Sequence, residues 1–180
     1  MKSVSISDSS CTEQIWNSAP QLANIPVIGT QSLLPPGARA VVMAPHPGDE
    51  VLTCGGLLQL LSAMGHPLQL ISVTDGSASH PGSQQWSEKR LSVFRSQESV
   101  EALRRLGLPM HSLKWIRGGF TDHTLAEHEQ ALTQFIVRYL RPGDMVFSTW
   151  CEDGNSDHDA VGRALANAAT IAGAVFNVIP

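Results

Sequence analysis

Short apolar runs alternate with amphipathic stretches along most of the chain. Between the runs, apolar or small residues recur at the spacing of a helix with one buried face. The apolar runs predict strands at 40–44, 68–73, 113–116, 145–149 and 174–179. The intervening segments predict helices at 51–64, 87–106, 124–140 and 159–173. This alternation predicts an α/β domain of three layers, in which helices cover both faces of a mostly parallel sheet of about five strands.

The length of 180 residues fits one such domain. We predict an N-terminal extension over residues 1–36, with a serine-rich, flexible start at Met1–Cys11, and the α/β domain over 37–180. A membrane span is not predicted, because the chain has no apolar run of about 20 residues.

The composition narrows the class of protein. Apolar residues make up 42% of the chain and charged residues 16%, which is typical of a globular protein. The net charge is −4 and no lysine and arginine cluster exists, so nucleic-acid binding is not predicted. Three scattered cysteines do not form a disulfide framework and suggest the reducing cytoplasm.

Histidine and aspartate follow two of the predicted strands. His46 and Asp49 come directly after the first strand, and His158 lies in the loop after the fourth. In a Rossmann-like sheet, ligands bind beyond the carboxyl ends of the strands. If these two strands are neighbours, the three side chains converge, and two imidazoles with one carboxylate are a common zinc-binding set. The alternative is that these residues only cap helices and bind no metal.

Four segments resemble the motifs of the PIG-L/LmbE-like N-deacetylases. They follow the family's order over about residues 39–175. The segments are 44–56 with Pro45-His46-Pro47-Gly48-Asp49-Glu50, 74–83 with Thr74-Asp75-Gly76, Arg95-x-x-Glu98, and 150–162 with Asp157-His158-Asp159. The resemblance implies a Rossmann-like fold and a site for Zn²⁺, or another divalent metal, formed by His46, Asp49 and His158.

The resemblance also implies a reaction, the hydrolysis of an N-acetyl group on an amino sugar or a related small molecule. It implies that Arg95 faces this substrate, and we expect Asp75 and Gly76 to shape the floor of the pocket. The alternatives are a surface ion pair for Arg95 and a plain turn for the other two. Relatives usually continue beyond the point that corresponds to Pro180, so we expect the domain to be truncated there.

Two positions depart from the family's pattern. Gly48 stands where the family has the aspartate that acts as general base, and Asn155 stands where it has an auxiliary histidine. Neither residue exchanges protons near neutral pH. The hydrolase is therefore expected to be impaired, with Glu50 or His80 as possible replacement bases. The alternative is a non-catalytic relative that keeps the metal site and binds a sugar-like ligand or a partner.

The remaining candidates are weaker. Asp157 is expected to orient His158 or a neighbouring group, or else to cap a helix. Thiolates bind zinc well, so two cysteines near the motifs, Cys54 and Cys151, are minor ligand candidates. Four further histidines are assigned no role: His66, His111, His123 and His128.

Overall fold

The computed structural model describes residues 20, 25–150, 153–173 and 175–176. The chain divides into two units, Met1–Leu33 and Leu34–Pro180. In the first unit the structure describes a short helix, α1 (Thr30–Leu33). The predicted boundary after residue 36 stays a prediction. The expectations for Met1–Cys11, for Cys151 and for most of 174–179 concern residues outside the described part.

The second unit contains a parallel sheet of five strands. Their order is β3-β2-β1-β4-β5, and every neighbouring pair is parallel. The strands are β1 (Ala40–Ala44), β2 (Leu68–Thr74), β3 (Lys114–Phe120), β4 (Met145–Ser148) and β5 (Val175–Phe176). The predicted α/β class and mostly parallel sheet are confirmed. Since β1 and β4 are direct neighbours, the loops that follow them meet at one edge.

The helices between the strands complete the outer layers. They are α2 (Asp49–Leu52), α3 (Gly55–Ala63), α4 (Glu88–Arg105), α5 (Glu129–Val137) and α6 (Ser156–Ala172), with a 3₁₀ helix at Leu125–His128. None of the helices in the described part of the chain is long and apolar enough to cross a membrane.

The core follows from the burial of the central strands. All residues of β1 and β2 are buried, as expected for strands covered on both faces. Val41 and Met43 belong to a cluster with α5 and α6. The alternate residue Val42 therefore points to the other face of the sheet. This packing fixes the carboxyl ends of β1 and β4 against rigid helices.

Several element boundaries differ from the sequence prediction. The last helix begins at Ser156 rather than Asp159, so His158 lies in its first turn and not in the preceding loop. The predicted helix 51–64 is two helices, because the chain leaves the helical path at Cys54, where φ is −118° and ψ is 4°. Just before it, the Thr53 hydroxyl and the Thr53 N–H both donate to the Asp49 carbonyl oxygen, at 2.6 and 2.9 Å, an arrangement that often bends helices. The predicted helix 124–140 begins as a 3₁₀ turn. The third strand extends to Phe120 rather than ending at Ile116.

Candidate metal centre

His46 lies in the turn between β1 and α2, Asp49 is the first residue of α2, and His158 lies in the first turn of α6. His46 Nδ1 lies 3.3 Å from Asp49 Oδ2, and His158 Nε2 lies 3.3 Å from the same oxygen. One ligand atom from each residue lies within 4.8 Å of the others. Zinc bonds of about 2.0–2.1 Å in a tetrahedral site separate the ligand atoms by about 3.3 Å. The spacing around Asp49 therefore fits one small cation.

The second nitrogen of each imidazole contacts a carboxylate. His46 Nε2 lies 3.0 Å from Asp157 Oδ2, and His158 Nδ1 lies 2.6 Å from Asp153 Oδ2. Such bonds fix the tautomer and orientation of metal-binding histidines, and leave the other nitrogen as an acceptor. The structure thus pairs the buried Asp157 with His46, whereas Asp153 pairs with His158.

When no metal is bound, the three side chains shift one another's pKa values through hydrogen bonds and charge. Burial alone would lower the pKa of His158, but hydrogen bonds with Asp49 and Asp153 outweigh it and raise that pKa to about 9. Burial alone would raise the pKa of Asp49, but hydrogen bonds from His158 and His46 hold it well below its usual range. The pKa of His46 is raised against its burial by Asp49 and Asp157. The carboxylates that stabilise the protonated imidazoles would also attract a metal cation that takes the place of those protons.

Gly48 holds a backbone shape that suits glycine. Its φ is 107°, in the region that L side chains rarely adopt, and its N–H donates to Glu50 Oε2 at 3.0 Å. A Cβ built at Gly48 would have one neighbour within 4 Å, the Arg95 guanidinium at 3.9 Å. The space beside Gly48 is therefore open, although its backbone conformation disfavours a side chain.

Asn155 serves as the N-cap of α6. Its side-chain oxygen accepts a hydrogen bond from the Asp157 N–H at 2.9 Å. This bond satisfies one of the free N–H groups at the start of the helix. The helix cap is thus Asn155 rather than Asp157.

A family model for the GlcNAc-PI de-N-acetylases, PIG-L, matches residues 41–169. The chain belongs to the PIG-L family. The matched segment includes every residue of the predicted metal site, from the turn after β1 to the first turn of α6. A comparison with curated protein sequences gave no match.

Solved structures with the same fold include three instructive relatives. N,N'-diacetylchitobiose deacetylase from Pyrococcus horikoshii is 23% identical, covers 92% of this chain and 61% of its own, and has a TM-score of 0.62. The conserved protein TT1542 from Thermus thermophilus is 29% identical, with coverages of 77% and 62% and a TM-score of 0.56. The 4-carboxy-2-hydroxymuconate hydratase GalB from Pseudomonas putida KT2440 is 18% identical. The match covers 74% of this chain and 56% of the hydratase, with a TM-score of 0.55.

These relatives limit what the likeness implies. The chain spans less than two thirds of the length of each of the three structures. One is named a deacetylase and another a hydratase, so the PIG-L fold alone does not fix the reaction. The reaction has to be argued from the residues of this site.

A cavity of about 350 Å³ opens beside the metal centre. Its walls include His46, Gly48, Asp49, Glu50 and Arg95. The Arg95 guanidinium donates to the Pro47 carbonyl oxygen at 2.7 Å, and its Nε is buried without a hydrogen-bond partner among the described residues. It also lies 3.6 Å from the exposed Glu98. The structure therefore brings Arg95 to the cavity, and the surface pair is present as well.

The two residues expected at the pocket floor occupy different places. Asp75 lines a second cavity of about 260 Å³ between β2, β3 and α4. Gly76 is buried, with φ 73°, and a Cβ there would press on the Pro47 ring at 3.2 Å. Gly76 thus supports the turn that carries His46 by allowing close packing.

Neither possible replacement base belongs to the cluster of ligand atoms, although Glu50 lines the cavity beside it. Glu50 is fully buried, and one carboxylate oxygen accepts from Gly48 while the other has no partner among the described residues. His80 is exposed and lines a different cavity with Trp86 and Phe94. Cys54 is buried, burial raises the pKa of its thiol, and it is outside the ligand cluster.

The sequence reasoning missed the loop after β3. There Asp122 is buried, and its carboxylate accepts from the N–H groups of Gly76 and Ala78 at 3.2 and 3.0 Å. The N–H of His123 donates to Asp157 at 2.6 Å. The signal available in the sequence was the run of four polar residues, 121–124, directly after the apolar Phe120.

Proposed function

We propose that this chain is a metal-dependent hydrolase that removes an N-acetyl group from an amino sugar or a related small molecule. The observation that carries the proposal is the convergence of His46 Nδ1, Asp49 Oδ2 and His158 Nε2 around one point. Membership of a family described as de-N-acetylases supports it. A relative of the same fold is named a deacetylase of N,N'-diacetylchitobiose.

The ligand set favours Zn²⁺ among divalent metals. Two imidazoles and one carboxylate form the set found in catalytic zinc sites, where a fourth position is free for the reaction. A divalent ion held by these residues would supply a Lewis acid, which could activate water and polarise an amide carbonyl group. Asp157 and Asp153 hold the imidazoles in the orientation that this requires.

The neighbouring cavity supplies a place for the substrate. In its wall, the Arg95 guanidinium donates a hydrogen bond to the Pro47 carbonyl oxygen, in the turn that carries His46. We propose that Arg95 donates hydrogen bonds to oxygen atoms of the substrate, using the N–H groups that the protein leaves free. We also propose that Asp75 and Gly76 support this wall, Gly76 through its packing against Pro47.

A second candidate function follows from Gly48 and Asn155. Each removes a group that the family uses to move protons, and a positioned acid or base is worth about 10²–10⁴-fold in rate. A relative that retains the metal and binds a sugar-like ligand without hydrolysing it would need neither group. The hydrolase and the binding protein would therefore share the metal centre, and only the hydrolase would cleave its ligand.

Two measurements separate them. Metal-free protein is titrated with Zn²⁺, and acetate release is then followed with N,N'-diacetylchitobiose and N-acetylglucosamine as substrates. His158→Gln serves as the control, since it removes one ligand. We expect one zinc per chain and acetate release that is absent in the control. Stoichiometric zinc without acetate release would favour the binding protein, and no zinc at all would overturn both candidates.

A further inference from the structure

A cavity of about 190 Å³ lies next to the one beside the metal centre. Its walls include His80, Trp86, Phe94, Arg95 and Glu98. Arg95 and Glu98 also line the cavity beside the metal centre, so these two side chains stand at the border between the two spaces. We call the smaller space the aromatic cavity and the larger one the metal cavity.

One face of α4 runs along both cavities. Phe94 lines the aromatic cavity, and Ser99 and Ala102 line the metal cavity. Arg95 and Glu98 lie between them on the helix, at the spacing of three or four residues that places side chains on one face. At about 1.5 Å per residue, Phe94 and Ala102 are about 12 Å apart along the helix axis. The two cavities together therefore match the length of a ligand with two sugar rings.

The aromatic cavity offers an ordered apolar surface. The Trp86 and Phe94 rings meet edge to face, with centroids 5.2 Å apart and an angle of 82° between their planes. The Arg90 guanidinium lies over the Trp86 ring at 4.6 Å, a contact that favours one orientation of the indole. Phe94 is 41% exposed. A ligand therefore meets ring surface that is already in place beside the metal cavity.

The start of α4 explains only part of this arrangement. Ser87 is the N-cap, and an apolar residue before a cap often packs on the residue four positions into the helix. That residue is Leu91, which lines the aromatic cavity and is 3% exposed. Phe94 lies almost one turn further along α4 and stays exposed. Fixing the start of the helix therefore accounts for Trp86 and Leu91 but not for Phe94.

The rim of the aromatic cavity is polar. His80 Nδ1 lies 3.1 Å from the Ser79 hydroxyl, so the other ring nitrogen of His80 is left for a ligand. The Arg95 guanidinium and the exposed Glu98 carboxylate complete the rim. Aromatic surface with hydrogen-bonding groups around it suits a sugar ring, which has apolar C–H faces and hydroxyl groups at its edge. A purely apolar group would cover these polar side chains without satisfying them.

We propose that the aromatic cavity binds a second sugar ring, linked to the ring whose N-acetyl group lies at the metal centre. The inference rests on the proposed function, and it narrows the substrate class to sugars of at least two rings. Trp86 and Phe94 then set specificity, because they contact the second ring and not the acetyl group. Arg95, at the border of the two cavities, donates hydrogen bonds to oxygen atoms near the linkage.

Sugar binding without turnover tests the cavity directly. The zinc-loaded protein is titrated in a calorimeter with chitobiose and with glucosamine, which carry no acetyl group to lose. Contacts with aromatic rings are worth about 3–10-fold in affinity, so chitobiose should bind more tightly by about that factor. Trp86→Ala and Phe94→Ala should abolish the preference and leave glucosamine binding unchanged, whereas Phe94→Tyr, which keeps the ring, should retain it.

The matched control is Val93→Ala. Val93 is the neighbouring residue on α4, is 52% exposed and is not among the residues that line either cavity. This variant should keep the full preference for chitobiose. Alanine favours the helix, so Phe94→Ala should fold normally, which the midpoint of thermal unfolding checks. Equal loss of both sugars in Phe94→Ala would indicate a structural effect and overturn the inference.

Kinetics separate the inference from the proposed function. In an active enzyme, Phe94→Ala should lower kcat/KM about 3–10-fold for N,N'-diacetylchitobiose, through KM, and leave N-acetylglucosamine unaffected. Acetate release with no preference for two rings, in rate or in binding, would keep the hydrolase and overturn the inference. A preference for chitobiose without acetate release from either substrate would reject the hydrolase and keep the aromatic cavity as a sugar site. Binding of neither chitobiose nor glucosamine would overturn the inference.

Discussion

At the scale of single residues, the turn after β1 combines a strained backbone with a metal ligand. Gly48 takes φ 107° so that Asp49 can begin α2 with its carboxylate toward both imidazoles. The sequence alone marked Gly48 as a lost base. The structure adds that its conformation disfavours any side chain. Restoring an aspartate there therefore affects the fold as well as the chemistry.

We expect Gly48→Asp to lower the free energy of unfolding by about 1–3 kcal/mol, because a side chain at this φ is strained. Chemical denaturation of the metal-free variant measures the change. Gly56→Asp is the matched control, since Gly56 is exposed in α3 with open space around it. Equal stability of the two variants would show that position 48 tolerates a side chain.

A second prediction concerns Asp157, whose carboxylate contacts His46 Nε2. Asp157→Asn keeps the shape but removes the charge that orients the imidazole, so zinc affinity should fall about 10–100-fold. Competition with a coloured chelator measures the affinity. Asp75→Asn is the control, because that carboxylate bonds to the Ser77 N–H and contacts neither histidine. A similar affinity for Asp157→Asn would mean that the bond to His46 contributes nothing to metal binding.

At the scale of elements, the sequence predicted the order and type of strands and helices, and the position of the site, better than their ends. The neighbouring positions of β1 and β4 could only be assumed from the sequence, yet the convergence of His46 and His158 depends on them. The bend after α2 and the path of the loop after β3 involve side-chain hydrogen bonds that hydrophobic periodicity does not reveal. For this reason the sequence alone does not predict that Asp122 joins the loops after β2 and β3.

The cap of α6 should affect both stability and metal binding. Asn155→Ala removes the acceptor for the Asp157 N–H, and should cost about 1 kcal/mol of unfolding free energy. Zinc affinity should fall too, because His158 lies in the same helical turn. Ser87→Ala removes the equivalent cap of α4 and is the control. It should lose similar stability and keep its zinc affinity. Loss of affinity in both variants would point to general destabilisation instead.

At the scale of the whole molecule, the two edges of the sheet have different tasks. At the amino edge, Arg39 binds Asp144 through two hydrogen bonds of 2.9 and 2.6 Å, and also binds Gln69 at 2.8 Å. These partly buried partners satisfy one another and join the starts of β1, β2 and β4. At the carboxyl edge, the histidines and carboxylates around Asp49 pair with one another, and their pairing depends on the protonation of the histidines. The stability of the metal-free protein should therefore depend on pH through the carboxyl edge.

The sign of that dependence follows from the pKa values. The pKa of His158 rises from 6.5 to about 9 on folding, so its contribution is full below pH 6.5 and is lost as pH rises through about 9. We expect the metal-free protein to lose roughly 1–3 kcal/mol of unfolding free energy over this interval. Denaturation with a chelator present measures it, and His158→Gln should flatten the curve. With zinc, the slope should reverse, because the metal binds deprotonated imidazoles and its affinity grows with pH. Equal slopes with and without zinc would contradict a shared site for the proton and the metal.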